Sequence, residues 1–216
     1  MLTRLIASAD HFWRLSMTRD DELDAALILC GQVDVPNDWG RYCFQTTYLN
    51  ASYPEYRAIG PAQRLIWVLR NPLSVIYSMV YNWRSWALNE LYEDCGMTLS
   101  PAGRLRRFKI PWPFGPSPIE KACLSYAAKT AQIKLIRDLV PRNQLMVLDY
   151  DELVMAPGEW LPRIFDFIRE PYNAEHEAGV RVDSIKKAQR LSASARDLVN
   201  RHAMPVYEEC LRFVSR

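Results

Sequence analysis

Arg70, Asn71, Pro72 and Ser78 are the residues whose types and spacing carry the most chemistry in this chain. Arg70 directly follows an unbroken apolar run, Leu65-Ile66-Trp67-Val68-Leu69, which predicts a strand buried on both faces of a parallel sheet. Pro72 suits the first turn of a helix, where its missing N–H has no partner to lose. Val75, Ile76, Met79 and Val80 then recur at the spacing of one helix face, and a helix is expected over residues 72–91. Arg70 is therefore expected at the carboxyl end of a strand, beside a helix N-terminus, where open α/β sheets bind phosphorylated ligands. Ser78, eight residues after Arg70, offers a hydroxyl to the same anion. The plainer reading of Arg70 alone is a strand-end cap paired with a nearby carboxylate.

The elements that position these residues are legible from period and punctuation. Residues 1–13 read as an amphipathic helix, with Leu2, Leu5, Ile6, Ala9 and Trp13 on one side. A second helix is expected over 18–31, with Asp20, Asp21 and Glu22 complementing its dipole and Gly31 as a stop. Residues 36–56 read as loop plus a short helix. The basic stretch 96–118, interrupted by Pro and Gly, carries Arg104, Arg106, Arg107 and Lys109 among Trp112 and Phe114. It is either a solvated loop whose aromatics fold back on the core or a mobile wall (94–118) over a binding site. Ser117-Pro118-Ile119-Glu120 is a capping box with Pro at the first helical position, opening a helix to about Val140 that Pro141 ends. Residues 145–148 form a second buried strand, and 160–168 an apolar helix. Tyr150, just past that strand, reads by itself as a core tyrosine at a strand end, and its neighbouring carboxylates as caps.

Composition sets the outer limits. A chain of 216 residues with 49% hydrophobic residues and a net charge of +2 suits one α/β domain over 1–216. That charge is too small to imply nucleic acid, and no long basic run or aromatic-interleaved patch argues otherwise, so no nucleic-acid partner is expected. Five scattered cysteines without C-x-x-C spacing point to reduced thiols, no zinc site and a cytoplasmic protein. No segment has the length of a membrane span or the form of a signal peptide.

Arg-Asn-Pro with Ser eight residues after the Arg, followed in order by Asp149-Tyr150-Asp151-Glu152-Leu153-Val154 and Pro157, resembles the sulfotransferases that use 3′-phosphoadenylyl sulfate (PAPS). The likeness spans nearly the whole chain and is closest over 64–83 and 145–168. It implies that Arg70 and Ser78 hold the 3′-phosphate and that Tyr150 lies close to the nucleotide. It also implies that Ser184 and Lys187, in a helical tail from Arg181 onward, face the same phosphate, although a surface charge run explains Lys187 equally well. Phe44-Gln45-Thr46-Thr47 resembles the family's Lys-Thr segment with Gln45 in place of the Lys, so no catalytic residue is assigned.

In that family a strand and a Gly/Ser/Thr-rich loop for the 5′-phosphosulfate precede the first helix. Residues 1–13 read like the helix after that loop, and no G-x-x-x-x-G-K-[ST] occurs. The expected fold is thus α/β: a parallel sheet flanked by helices, of the P-loop nucleotide-binding, sulfotransferase-like type, N-terminally truncated. The implied reaction moves a sulfuryl group from PAPS to a hydroxyl or amine of a small-molecule, glycan or lipid acceptor, without a metal. The alternatives are an inactive truncated or degenerate member that only binds nucleotide, and a nucleotide kinase, disfavoured by the lack of a Lys-bearing loop. On this reading the chain alone is expected to be poorly soluble and to show no sulfotransfer.

Overall fold

The computed structural model describes residues 60–110, 114–180 and 188–215, together with residues 6, 12–14 and 41–43. Its strands and longer helices run in the order β1 (Phe12–Arg14), β2 (Arg41–Cys43), β3 (Leu65–Leu69), α1 (Pro72–Tyr81), α2 (Ser85–Leu91), α3 (Pro118–Ala131) and α4 (Ile133–Leu139). There follow β4 (Leu145–Asp149), α5 (Tyr150–Met155), α6 (Pro157–Ile168), α7 (Ala193–His202) and α8 (Met204–Leu211). β1 and β2 pair in parallel, Phe12 opposite Arg41, and β3 pairs with β4. Contacts among the described residues gather into two compact units. One is drawn from Met1–Leu65, Ile136–Met146 and Glu152–Arg181, the other from Ile66–Leu135, Val147–Asp151 and Val182–Arg216.

The second unit is built around α3. Its Ser117 cap accepts from the Glu120 amide while the Glu120 carboxylate accepts from the Ser117 amide, the expected capping box. Small residues then let neighbours approach on most sides. Ala122, Cys123, Tyr126, Ala127 and Thr130 are all buried, because α1, α2, α7, α8 and a π-helical turn at Tyr92–Met97 all pack on this helix. Phe108, in a 3₁₀ turn (Arg106–Lys109), is buried with Tyr92 and Leu124, and the Tyr92 hydroxyl donates to its carbonyl. That pins the middle of the basic stretch to the core. The stretch also doubles back tightly: a Cβ on Gly103 would run into the Gly96 carbonyl.

In the first unit α6 buries Trp160, Leu161, Ile164, Phe165 and Ile168 along one face and ends at Arg169, whose φ of 59° is left-handed. The Phe165 ring stacks on His176 with centroids 4.4 Å apart. The buried Gln144 side chain donates to the carbonyls of Gly60 and Gln63, tying down the entrance to β3.

Several sequence-based expectations need correction. Ile6 is helical, but Phe12–Arg14 is a strand, so the predicted 1–13 helix does not reach Trp13. The parallel partner of that strand, β2, lies inside the predicted 36–56 loop. The 72–91 helix is interrupted after Tyr81: the amides of Asn82 and Trp83 both turn back to the Ser78 carbonyl, and Arg84 is extended. The helix to Val140 breaks at Gln132, where i→i+3 bonds from Gln132 to Lys129 and from Leu135 to Gln132 tighten the chain. β3 is not buried on both faces; Trp67 and Leu69 are buried while Val68 is 42% exposed. The helix over 18–31, the segment 44–47 and residues 181–187, which include Ser184 and Lys187, lie outside the described residues.

Ser117→Ala removes one half of the capping box and is expected to cost about 1 kcal/mol of stability. Urea denaturation checks this; an unchanged midpoint would contradict it.

Candidate functional site

The carboxyl ends of β3 and β4 finish next to each other and release the chain into α1 and α5. The sheet no longer satisfies the backbone there, so side chains must. Asn71 is the N-cap of α1 and accepts from the Leu73 amide, with Pro72 in the first turn. Its own amide donates to Asp151 Oδ2 at 2.8 Å. One bond back along the chain, the Arg70 carbonyl accepts from the Tyr126 hydroxyl at 2.6 Å. The peptide group joining Arg70 to Asn71 is thus held at both poles.

β4 ends in a matching turn. Asp149, 4% exposed, accepts from the Asp151 amide through Oδ1 at 2.8 Å and from the Tyr207 hydroxyl through Oδ2 at 2.9 Å. The first bond closes an Asx-type turn that converts strand into helix. Tyr150 sits inside this turn, and the Arg70 guanidinium lies over its ring, 4.7 Å from the centroid. Such a stack offers the cation a face and leaves its donor edges directional.

Charge at the site is unequal. Burial raises the Asp151 pKa; the Asn71 amide opposes that shift, Asp149 adds to it and Arg70 opposes it. Among the described residues, Asp151 Oδ1 is buried without a hydrogen-bond partner. Burial, foremost, also raises Tyr126 and Tyr207, so both phenols stay protonated at neutral pH and act as donors. The buried thiols are inert in the same sense: burial pushes Cys123 up to about 12 and Cys210 up to about 11.

Of the residues singled out from sequence, Arg70 and Tyr150 are brought into direct contact. Ser78 stands further along α1 on the same strand–helix segment, and its hydroxyl accepts from Asn82 Nδ2 at 3.3 Å. Ser184 and Lys187 lie outside the described residues, as does Gln45. The sequence named Asn71, Asp149 and Asp151 only as members of motifs and Tyr126 only as a buried helix residue, and it assigned none of them, nor Tyr207, a role in the site. For Tyr126 the helical spacing with Cys123 and Thr130 was the available signal; for Tyr207 there was none.

A raised carboxyl pKa stabilises the fold only below the ordinary value, and that contribution is lost as pH rises through the folded value. The wild type is therefore expected to lose stability relative to Asp151→Asn from about pH 4 upward, because the amide keeps an acceptor for Asn71 without the charge. Thermal melts of both proteins across that range check this, and parallel curves would contradict it.

A family model described as the sulfotransferase domain matches residues 46–203. The solved sulfotransferase domain from the curacin biosynthetic pathway aligns at 15% identity with a TM-score of 0.44, covering 82% of this chain. This chain spans 56% of the length of that one. No curated protein matches in sequence.

Proposed function

The chain belongs to the sulfotransferase domain family, and we propose that it transfers a sulfuryl group from PAPS to an acceptor hydroxyl or amine, holding the nucleotide's 3′-phosphate at the ends of β3 and β4. The observation that carries this reading is Arg70 itself. It is a cation fixed at a strand end, stacked on Tyr150, and followed at once by the N-cap of α1. No acidic residue occupies the first turn of α1, so the dipole there also favours an anion. A guanidinium in this setting suits a phosphate, to which it gives charge-assisted, bidentate hydrogen bonds. Ser78 adds a hydroxyl on the same segment, and the tail that carries Ser184 and Lys187 would complete the phosphate's shell.

The donor, when bound, supplies the reactive sulfuryl group and the leaving adenosine 3′,5′-bisphosphate. The acceptor oxygen or nitrogen forms a bond to sulfur while the bond from sulfur to the bridging phosphate oxygen breaks, and the acceptor proton passes to a base. The described residues act on the nucleotide rather than on that step: Arg70 and Ser78 bind, and Tyr150 orients Arg70. The family assignment supports the reaction class.

Titration calorimetry with adenosine 3′,5′-bisphosphate and with 5′-AMP tests the reading. The bisphosphate is expected to bind more tightly, and Arg70→Ala to weaken it by roughly ten- to a hundredfold, the worth of one charge-assisted contact. Equal affinity of the wild type for the two nucleotides would overturn the assignment.

A further inference from the structure

We propose that Asp151 is the positioning residue of the 3′-phosphate site: it aims Arg70 by holding the peptide group that follows it. The inference rests on the nucleotide reading above and adds a residue to it. The Arg70–Asn71 peptide lies where β3 has ended and the hydrogen bonds of α1 have not begun. Both of its polar atoms are engaged by side chains from elements distant in sequence, Asp151 on the N–H and Tyr126 on the carbonyl. Fixing that plane fixes ψ of Arg70, and with it the direction in which the side chain leaves the backbone. Asp151 is in turn held by its own amide on Asp149, and Asp149 by Tyr207. The chain of contacts runs from α8 through β4 to Arg70.

The same turn sets Tyr150 beneath the guanidinium. Asp151 therefore cross-links the two strand ends at the point where their side chains meet. Asp151 meets this task through Oδ2 alone, an acceptor that needs no donor of its own. Asp151 touches backbone rather than substrate; it acts through Arg70.

The test compares the ratio of affinities for adenosine 3′,5′-bisphosphate and 5′-AMP in the wild type, Asp151→Asn, Asp151→Ala, Arg70→Ala and the double variant Arg70→Ala/Asp151→Ala. Asp151→Ala is expected to lower the ratio by about tenfold, as for a lost buried hydrogen bond. Asp151→Asn still accepts from Asn71 and should keep the ratio within about twofold. In the Arg70→Ala background, Asp151→Ala should lower the ratio no further. A ratio unchanged in Asp151→Ala, or a loss as large in Asp151→Asn, would overturn the proposal; so would a further drop in the double variant. Hydrogen exchange at the Asn71 amide reads the clamp without any nucleotide. Faster exchange in Asp151→Ala than in Asp151→Asn is expected, and equal protection would overturn the clamp. Should the wild type prefer neither nucleotide, the phosphate assignment fails and this exchange measurement alone decides the clamp.

Discussion

The site depends on one peptide group. Where a strand ends inside a protein, its last amides and carbonyls lose the ladder that paid for their burial, and each needs a new partner. Here the Arg70–Asn71 peptide finds two, a carboxylate and a phenol. The requirement spreads outward. Tyr126 must project from α3 at the right turn, Asp151 must follow a tight exit from β4, and Tyr207 must reach Asp149 from α8. Backbone satisfaction at one spot thus constrains three helices and two strands.

The central helix of the unit makes this affordable in packing terms. α3 is buried from Ala122 to Ala128 and rich in alanine, so that neighbouring elements close on it while one large residue, Tyr126, points to the strand end. Burial of apolar surface of this kind is the dominant favourable contribution to folding. The polar network adds little net stability by comparison and much definition, since a buried group that loses its partner is costly.

Local signals in the sequence located the strands β3 and β4, the capping box of α3, and the place of Arg70 at a strand end, because each depends on residues within a few positions of one another. The stack of Arg70 on Tyr150 was not derivable from period or spacing; the family resemblance brought the two residues together in expectation. What stayed illegible is long-range. The Tyr126–Arg70 bond joins residues 56 apart, and the Asp151–Asn71 bond joins residues 80 apart. A tyrosine on an apolar helix face looks like core until its hydroxyl has an address. The exposed side of β3 was misread for a related reason: an apolar run does not reveal whether both faces find cover. Short strands such as β1 and β2 fail differently, since three residues carry no period to detect.

On the proposed function a phosphate meets Arg70 at the paired strand ends, with Tyr150 behind the guanidinium and the flanking peptide held still. A crystal structure of the chain with adenosine 3′,5′-bisphosphate tests that most directly. The account predicts the 3′-phosphate within hydrogen-bonding distance of the Arg70 guanidinium, with the Asp151–Asn71 bond intact. A nucleotide whose 3′-phosphate is bound elsewhere, leaving Arg70 out of contact, would contradict it.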